Sequence, residues 1–125
     1  MSITKFAEIE QKRHGFMDKV TGSIIESNYH TFSFTRVAKG GVTLKHKHAF
    51  EQCNLILEGR MEVMIDNKTD LVEKGDFIII PGDTLHQYTA VDDALMLEIF
   101  HPKFTPEMHA QMRKQAEAFS KTKTS

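Results

Sequence analysis

The chain has 125 residues, the length of one ordinary domain and enough to bury a core without disulfides or a structural metal. It carries 16 Lys and Arg against 17 Asp and Glu, a formal charge of −1, which excludes the basic field that holds nucleic acid or an anionic membrane surface. The single cysteine, Cys53, rules out an internal disulfide framework, no stretch approaches the ~18 apolar residues of a membrane span, and acidic residues before Val20 interrupt any signal-peptide core. The expectation is a cytoplasmic protein whose partner is a small-molecule substrate, with no nucleic acid and no membrane.

Met1 to Asp18 is a mixed polar arm in which Ile3, Phe6 and Ile9 recur at near-helical spacing, a run too short to separate a helix from an edge strand. Ser23 to Ser27 and His30 to Val37 read as extended. In the second, His30, Phe32, Phe34 and Arg36 share one face and Thr31, Ser33, Thr35 and Val37 the other. Arg36 has two readings. Its guanidinium can reach into a cavity and clamp a substrate carboxylate, or it can lie at the surface with its stem over apolar area.

Lys39-Gly40-Gly41 is a turn, after which Val42, Leu44, His46 and His48 share one strand face while Thr43, Lys45 and Lys47 share the other. Side chains two apart on a strand project together, so His46 and His48 have the geometry of metal ligands, or belong to a surface strand that happens to carry two histidines. In Gln52 to Glu58, Gln52, Asn54 and Ile56 form one face and Cys53, Leu55 and Leu57 the other, and both are partly apolar. One can line a barrel; covering the other predicts a homodimer. Glu58-Gly59-Arg60 turns the chain, Met61 to Ile65 returns it, and Asp66-Asn67-Lys68 turns it again, a pattern that reads as hairpins.

After Leu71 and Val72, Phe77 to Ile80 is a buried strand ended by Pro81-Gly82-Asp83, and Leu85 to Ala90 and Ala94 to Phe100 are the last two strands. Met96, Glu98 and Phe100 alternate onto one face. Thr105 caps a helix that Pro106 begins and good helix formers extend to Phe119. His30, His101 and His109 read as packing or surface residues. About nine strands and one helix make an all-β barrel or sandwich.

Two segments together resemble the paired motifs of the cupin family. Gly40, His46, His48 and Gly59 stand at the spacing of its first motif, with Gln52 in the glutamate slot, and Gly75, Pro81 and His86 stand at the spacing of its second. Gln52 for glutamate, Asp83 for the second glycine and Ala90 for asparagine depart from the pattern. The resemblance covers roughly residues 30 to 101, and two spaced motifs in order are more specific than either alone. It implies an all-β double-stranded β-helix, or jelly-roll barrel, preceded by an N-terminal arm over 1–29 and followed by a short C-terminal helix over about 105–120, all in one domain. It also implies one divalent transition metal, such as Zn, Ni, Mn or Fe, held by His46, His48, Gln52 and His86. A neutral amide in place of glutamate leaves more positive charge on the site.

Among small cupins the pattern is similar to the group that degrades pectin and alginate and acts on unsaturated uronates. That resemblance implies an isomerase- or lyase-like enzyme on a sugar acid or keto acid, with Glu98 as the catalytic acid and Phe100 binding substrate; Met96 on the same face and, in the first of its two readings, Arg36 are further candidates to bind substrate. Where that group carries an arginine after the last strand, this chain has Phe104, and Lys103 is the nearest cation. A metal-dependent dioxygenase and a non-catalytic metal or sugar binding module are the alternatives. No helix-turn-helix pattern accompanies the barrel.

Overall fold

A computed structural model describes residues 1–10, 12–13 and 19–123 of the chain. A 3₁₀ turn at Phe6–Glu8 precedes strands β1 (Lys12–Arg13), β2 (Val20–Glu26), β3 (Thr31–Val37), β4 (Gln52–Glu58), β5 (Arg60–Ile65), β6 (Lys68–Glu73), β7 (Phe77–Ile80), β8 (His86–Ala90) and β9 (Ala94–Phe100), and helix α1 (Pro106–Lys123) follows. The strands form two antiparallel sheets, one in the order β1-β2-β3-β9-β4-β7 and one in the order β6-β5-β8. Their inner faces meet in one core that takes Val20, Val37, Ile56, Ile78, Ile80 and Met96 from the larger sheet and Met61, Val63, Val72 and Tyr88 from the smaller. Removing each such side chain from water contributes about 1.5–3 kcal/mol. The all-β barrel with a C-terminal helix matches the expectation.

Two expectations about connectivity are corrected. Glu58-Gly59-Arg60 does not close a hairpin, because β4 pairs with β7 and β9 while β5 pairs with β6 and β8. The chain changes sheets there, and Gly59 is required: its φ is +77°, and a Cβ would lie 2.2 Å from the Asp93 carbonyl oxygen. The β5–β6 turn is a true hairpin, with Asp66 and Asn67 both at positive φ, the conformation that a tight two-residue turn demands. The barrel also begins earlier than residue 30. All seven residues of β2 pair with β3, and Val20 is 1% exposed in the core. Part of the Met1–Asp18 reading lies outside the described residues.

The two faces of β3 alternate as expected, and the structure decides which of them points inward. Thr31, Ser33, Thr35 and Val37 are buried, while Phe32, Phe34 and Arg36 are only half-buried. The small hydroxyl residues therefore face the barrel interior and the phenylalanines face out. Phe6 packs edge-on against Phe34 at 4.9 Å and covers part of that outer face. Arg36 sits there too, its guanidinium 5.9 Å from the Phe6 ring and 3.8 Å from Glu58. A residue on the outer face cannot clamp a ligand inside the barrel, so Arg36 is not a substrate-binding residue of the cavity.

Candidate metal centre and its cavity

The segment that carries His46 and His48 is not a regular strand. It is held to β8 by isolated bridges at Val42–Thr89 and His46–His86. The alternation still holds, since Leu44 and His48 are buried, His46 is half-buried, and Lys45 and Lys47 between them are exposed. His86 opens β8 and is 2% exposed. The turn before it is fixed by Asp83, whose φ of +57° explains why glycine is usual at this position and whose N–H donates to the His48 carbonyl at 2.6 Å. That bond ties the second motif to the first. Beyond the barrel, α1 returns to the same segment, where Gln115 accepts from Lys47 N–H at 3.1 Å and donates to Lys47 O at 2.9 Å.

His46, His48 and His86 come together with potential ligand atoms within 4.8 Å of one another. Each Nδ1 faces a backbone carbonyl two residues away: Leu44 for His46 at 2.9 Å, Phe50 for His48 at 2.8 Å and Thr84 for His86 at 2.9 Å. A carbonyl can only accept, so Nδ1 carries the proton in all three rings and each Nε2 offers its lone pair, the arrangement that orients histidines as metal ligands. Burial, with the neighbouring imidazoles adding to it, lowers the His46 pKa to about 3; burial first and then His48 lower that of His86 to about 4. Both rings are therefore neutral at pH 7.

Two observations fit this donor set to a cation. His86 Nε2 is a buried polar atom with no partner among the described residues, a costly state unless something occupies the space before it. His48 Nε2, lone pair outward, meets Gln52 Oε1 at 3.0 Å. The amide cannot be turned over, because Gln52 Nε2 donates to Asn54 Oδ1 at 3.0 Å and to Glu98 Oε2 at 2.8 Å, and the reversed amide would oppose acceptor to acceptor. Two lone pairs facing each other at that distance need a proton or a cation between them. A divalent ion bound by the three Nε2 atoms and Gln52 Oε1 satisfies both demands.

These groups open onto a cavity of about 100 Å³. Of the residues expected around it, Met96, Glu98 and Phe100 do line it, as do His46, Gln52 and His86. Glu98 is reached across the register, opposite Asn54 on β4 and Ser33 on β3. Its carboxylate accepts from Thr35 Oγ1 at 2.5 Å and from Gln52 Nε2 at 2.8 Å. Burial raises its pKa to about 7, against the pull of these two hydrogen bonds. Asn54, 0% exposed, continues the network by donating to the Tyr88 hydroxyl at 2.8 Å. Tyr88, Thr35 and Asn54 were not anticipated as site residues. The parity that put Asn54 beside Gln52 could have found Asn54; Thr35 and Tyr88 reach the site only through sheet pairing. Cys53 is half-buried on the opposite face of β4 and free.

A two-sheet jelly-roll barrel with three convergent imidazoles at one end has the fold of a cupin and a donor set that could hold a metal ion. The model of the Cupin_2 family, described as a cupin domain, matches residues 33–101, and the chain belongs to that family. An uncharacterised protein, MJ1618, of Methanocaldococcus jannaschii is 38% identical over 74 residues, which are 58% of this chain and 58% of that one. This chain therefore spans less than two thirds of that relative. Among solved structures, KdgF from Halomonas sp. superposes with a TM-score of 0.77 at 20% identity, over 86% of this chain and 98% of that one. The polyketide cyclase RemF from Streptomyces resistomycificus superposes at 0.74 and 20% identity, over 85% and 82%.

Proposed function

We propose that the protein is a metal-dependent enzyme of isomerase or lyase type that acts on a small sugar acid or keto acid, with Glu98 moving the proton. The observation that carries this reading is the cluster of three histidines beside a cavity that His46, His86, Gln52 and Glu98 line, with His48 joined to Glu98 through Gln52. A bound divalent ion supplies Lewis acidity that polarises an oxygen of the substrate, and the neutral amide of Gln52 does not discharge it as glutamate would.

The remaining work falls to the chain. The three backbone carbonyls fix the rings, and the contacts of Gln52 Nε2 fix its oxygen toward His48. Met96 and Phe100 wall the cavity beside Glu98 and exclude water from it. In metal-free protein burial raises the Glu98 pKa to about 7, so the fold itself gives this carboxyl a higher proton affinity than an exposed glutamate has, as a group that accepts and returns a proton needs. Thr35 holds the carboxyl in place. That a polyketide cyclase shares the fold supports a catalytic use of such a barrel.

The test follows the absorbance of an unsaturated uronate and the keto–enol exchange of small keto acids with native protein, Glu98→Gln and His46→Ala. Turnover by native protein, lost in both variants, is the expected result. Native turnover retained in Glu98→Gln contradicts the proton role. Absence of turnover on either class, in protein that holds its ion, favours a binding barrel.

A further inference from the structure

Each polar side chain on the cavity wall beyond the histidines already has at least one hydrogen-bond partner. Thr35 gives its proton to Glu98, so Ser33, 2.9 Å away, donates to Thr35. Thr31 Oγ1 accepts from Phe104 N–H at 3.0 Å, and Thr43 Oγ1 accepts from Tyr88 N–H at 2.9 Å. Both N–H groups of Gln52 are engaged. Among the described residues, the buried side-chain polar atom left without a partner is His86 Nε2, at the metal end. No lysine or arginine is among the described residues that line the cavity. Lys103 lies 3.4 Å from Glu26, and Arg36 is on the outer face beside Glu58. The rest of the wall is apolar: Leu44, Met96, Phe100, Phe104, and at the rim Ile24, 48% exposed, and Met112 of α1.

We infer that the cavity selects a compact monoanion with an apolar tail, of the short-chain 2-oxo acid class, over a hydroxyl-rich uronate or a dianion; the inference deepens the acid-substrate reading above and rests on it. The anionic oxo-acid head has one place to go, the histidine end. Beyond that end the wall offers apolar side chains, hydroxyls and the Glu98 carboxyl but no cation, so a second carboxylate is stripped of water with no counter-charge in exchange. Ring hydroxyls lose their hydrogen bonds to water and the wall can return few of them, since the Thr31, Thr43 and Tyr88 hydroxyls each already accept one bond and have only their protons left to give.

The experiment measures binding by calorimetry to protein loaded with Zn²⁺, using pyruvate, 2-oxobutanoate, 2-oxopentanoate, 2-oxoglutarate and glucuronate as probes. Affinity is expected to rise roughly threefold to fourfold for each added methylene, and 2-oxoglutarate and glucuronate are expected to bind at least tenfold more weakly than 2-oxopentanoate. Ile24→Lys, a change at an exposed rim position, is expected to raise 2-oxoglutarate affinity relative to 2-oxopentanoate by about tenfold through the counter-charge it adds. Equal or tighter binding of 2-oxoglutarate or glucuronate by native protein overturns the inference, as does binding of none of the five, or an unchanged preference in Ile24→Lys. Because binding is read and not turnover, a protein that shows the preference without converting any probe refutes the catalytic reading alone.

Discussion

Gln52→Glu restores the residue usual in the family and tests the polar network at its centre. In the native chain Gln52 Nε2 donates to Glu98 Oε2 at 2.8 Å and Asn54 Oδ1 at 3.0 Å. Glutamate puts an acceptor where a donor stood, so in metal-free protein the bond to Glu98 survives only while one of the two carboxyls keeps a proton. Two such charges with centres ~4 Å apart repel by about 4 kcal/mol at an effective dielectric constant of about 20, equivalent to roughly three pH units of added proton affinity. A carboxyl with a raised folded-state pKa contributes stability that is present below its unfolded value and lost as pH rises through the folded one. In the native protein that loss runs from 4.5 to about 7 for Glu98 and then stops. In the variant it continues, at ~1.4 kcal/mol per pH unit, so that between pH 7 and pH 9 Gln52→Glu loses about 3 kcal/mol that native protein does not. Urea denaturation in EDTA at the two pH values measures it. Parallel profiles for the two proteins would refute the placement of the Gln52 amide against Glu98.

Three other outcomes follow from the same coordinates. The pKa values of His46 and His86, lowered from 6.5 to about 3 and about 4, mean that metal-free protein loses stability as pH falls below 6.5; the His86 share is on the order of 3 kcal/mol by pH 4, Glu98 returns part of the loss, and His86→Gln should flatten the thermal-midpoint profile that native protein shows in EDTA. Gln115→Ala removes both hydrogen bonds to the Lys47 backbone, worth about 0.5–1.5 kcal/mol each, and should speed amide exchange at Lys47 and weaken metal binding about tenfold, an idea that fails if Lys47 protection is unchanged. We further propose a two-fold homodimer that covers the outer face of the larger sheet, where Phe77 and Ile79 on edge strand β7 are 55% and 57% exposed and where an open apolar edge invites pairing; sedimentation at micromolar concentration should give twice the chain mass, and a monomer contradicts it.

The ligands were legible because their spacing is short and regular: His46 and His48 alternate on one segment, and His86 follows a proline turn. What holds the rings was not, since the three partners are backbone carbonyls that no residue type announces. The strand pattern located β3 and its two faces, but not which of them points inward. Thr31, Ser33 and Thr35 point inward because the interior is a partly polar cavity, whereas Phe32 and Phe34 point out, where Phe6 covers part of the sheet. Arg36 became a cavity candidate because alternation separates the two faces without saying which one lines the interior. β2 escaped the barrel boundary although Ser23 to Ser27 read as extended, because the family motifs begin after it and its pairing with β3 is not visible in the sequence. The Glu98 network joins residues from β3, β4, β8 and β9, and sheet register, not sequence proximity, assembles it.

Metal content after equilibration with micromolar Zn²⁺ and removal of free ion, measured on native protein, His86→Ala and Gln52→Ala, tests the metal centre most directly. One ion per chain in native protein, less than a tenth of that in His86→Ala and a reduced amount in Gln52→Ala is the expected result. Folded native protein that retains no ion, or a full equivalent retained by His86→Ala, would contradict it.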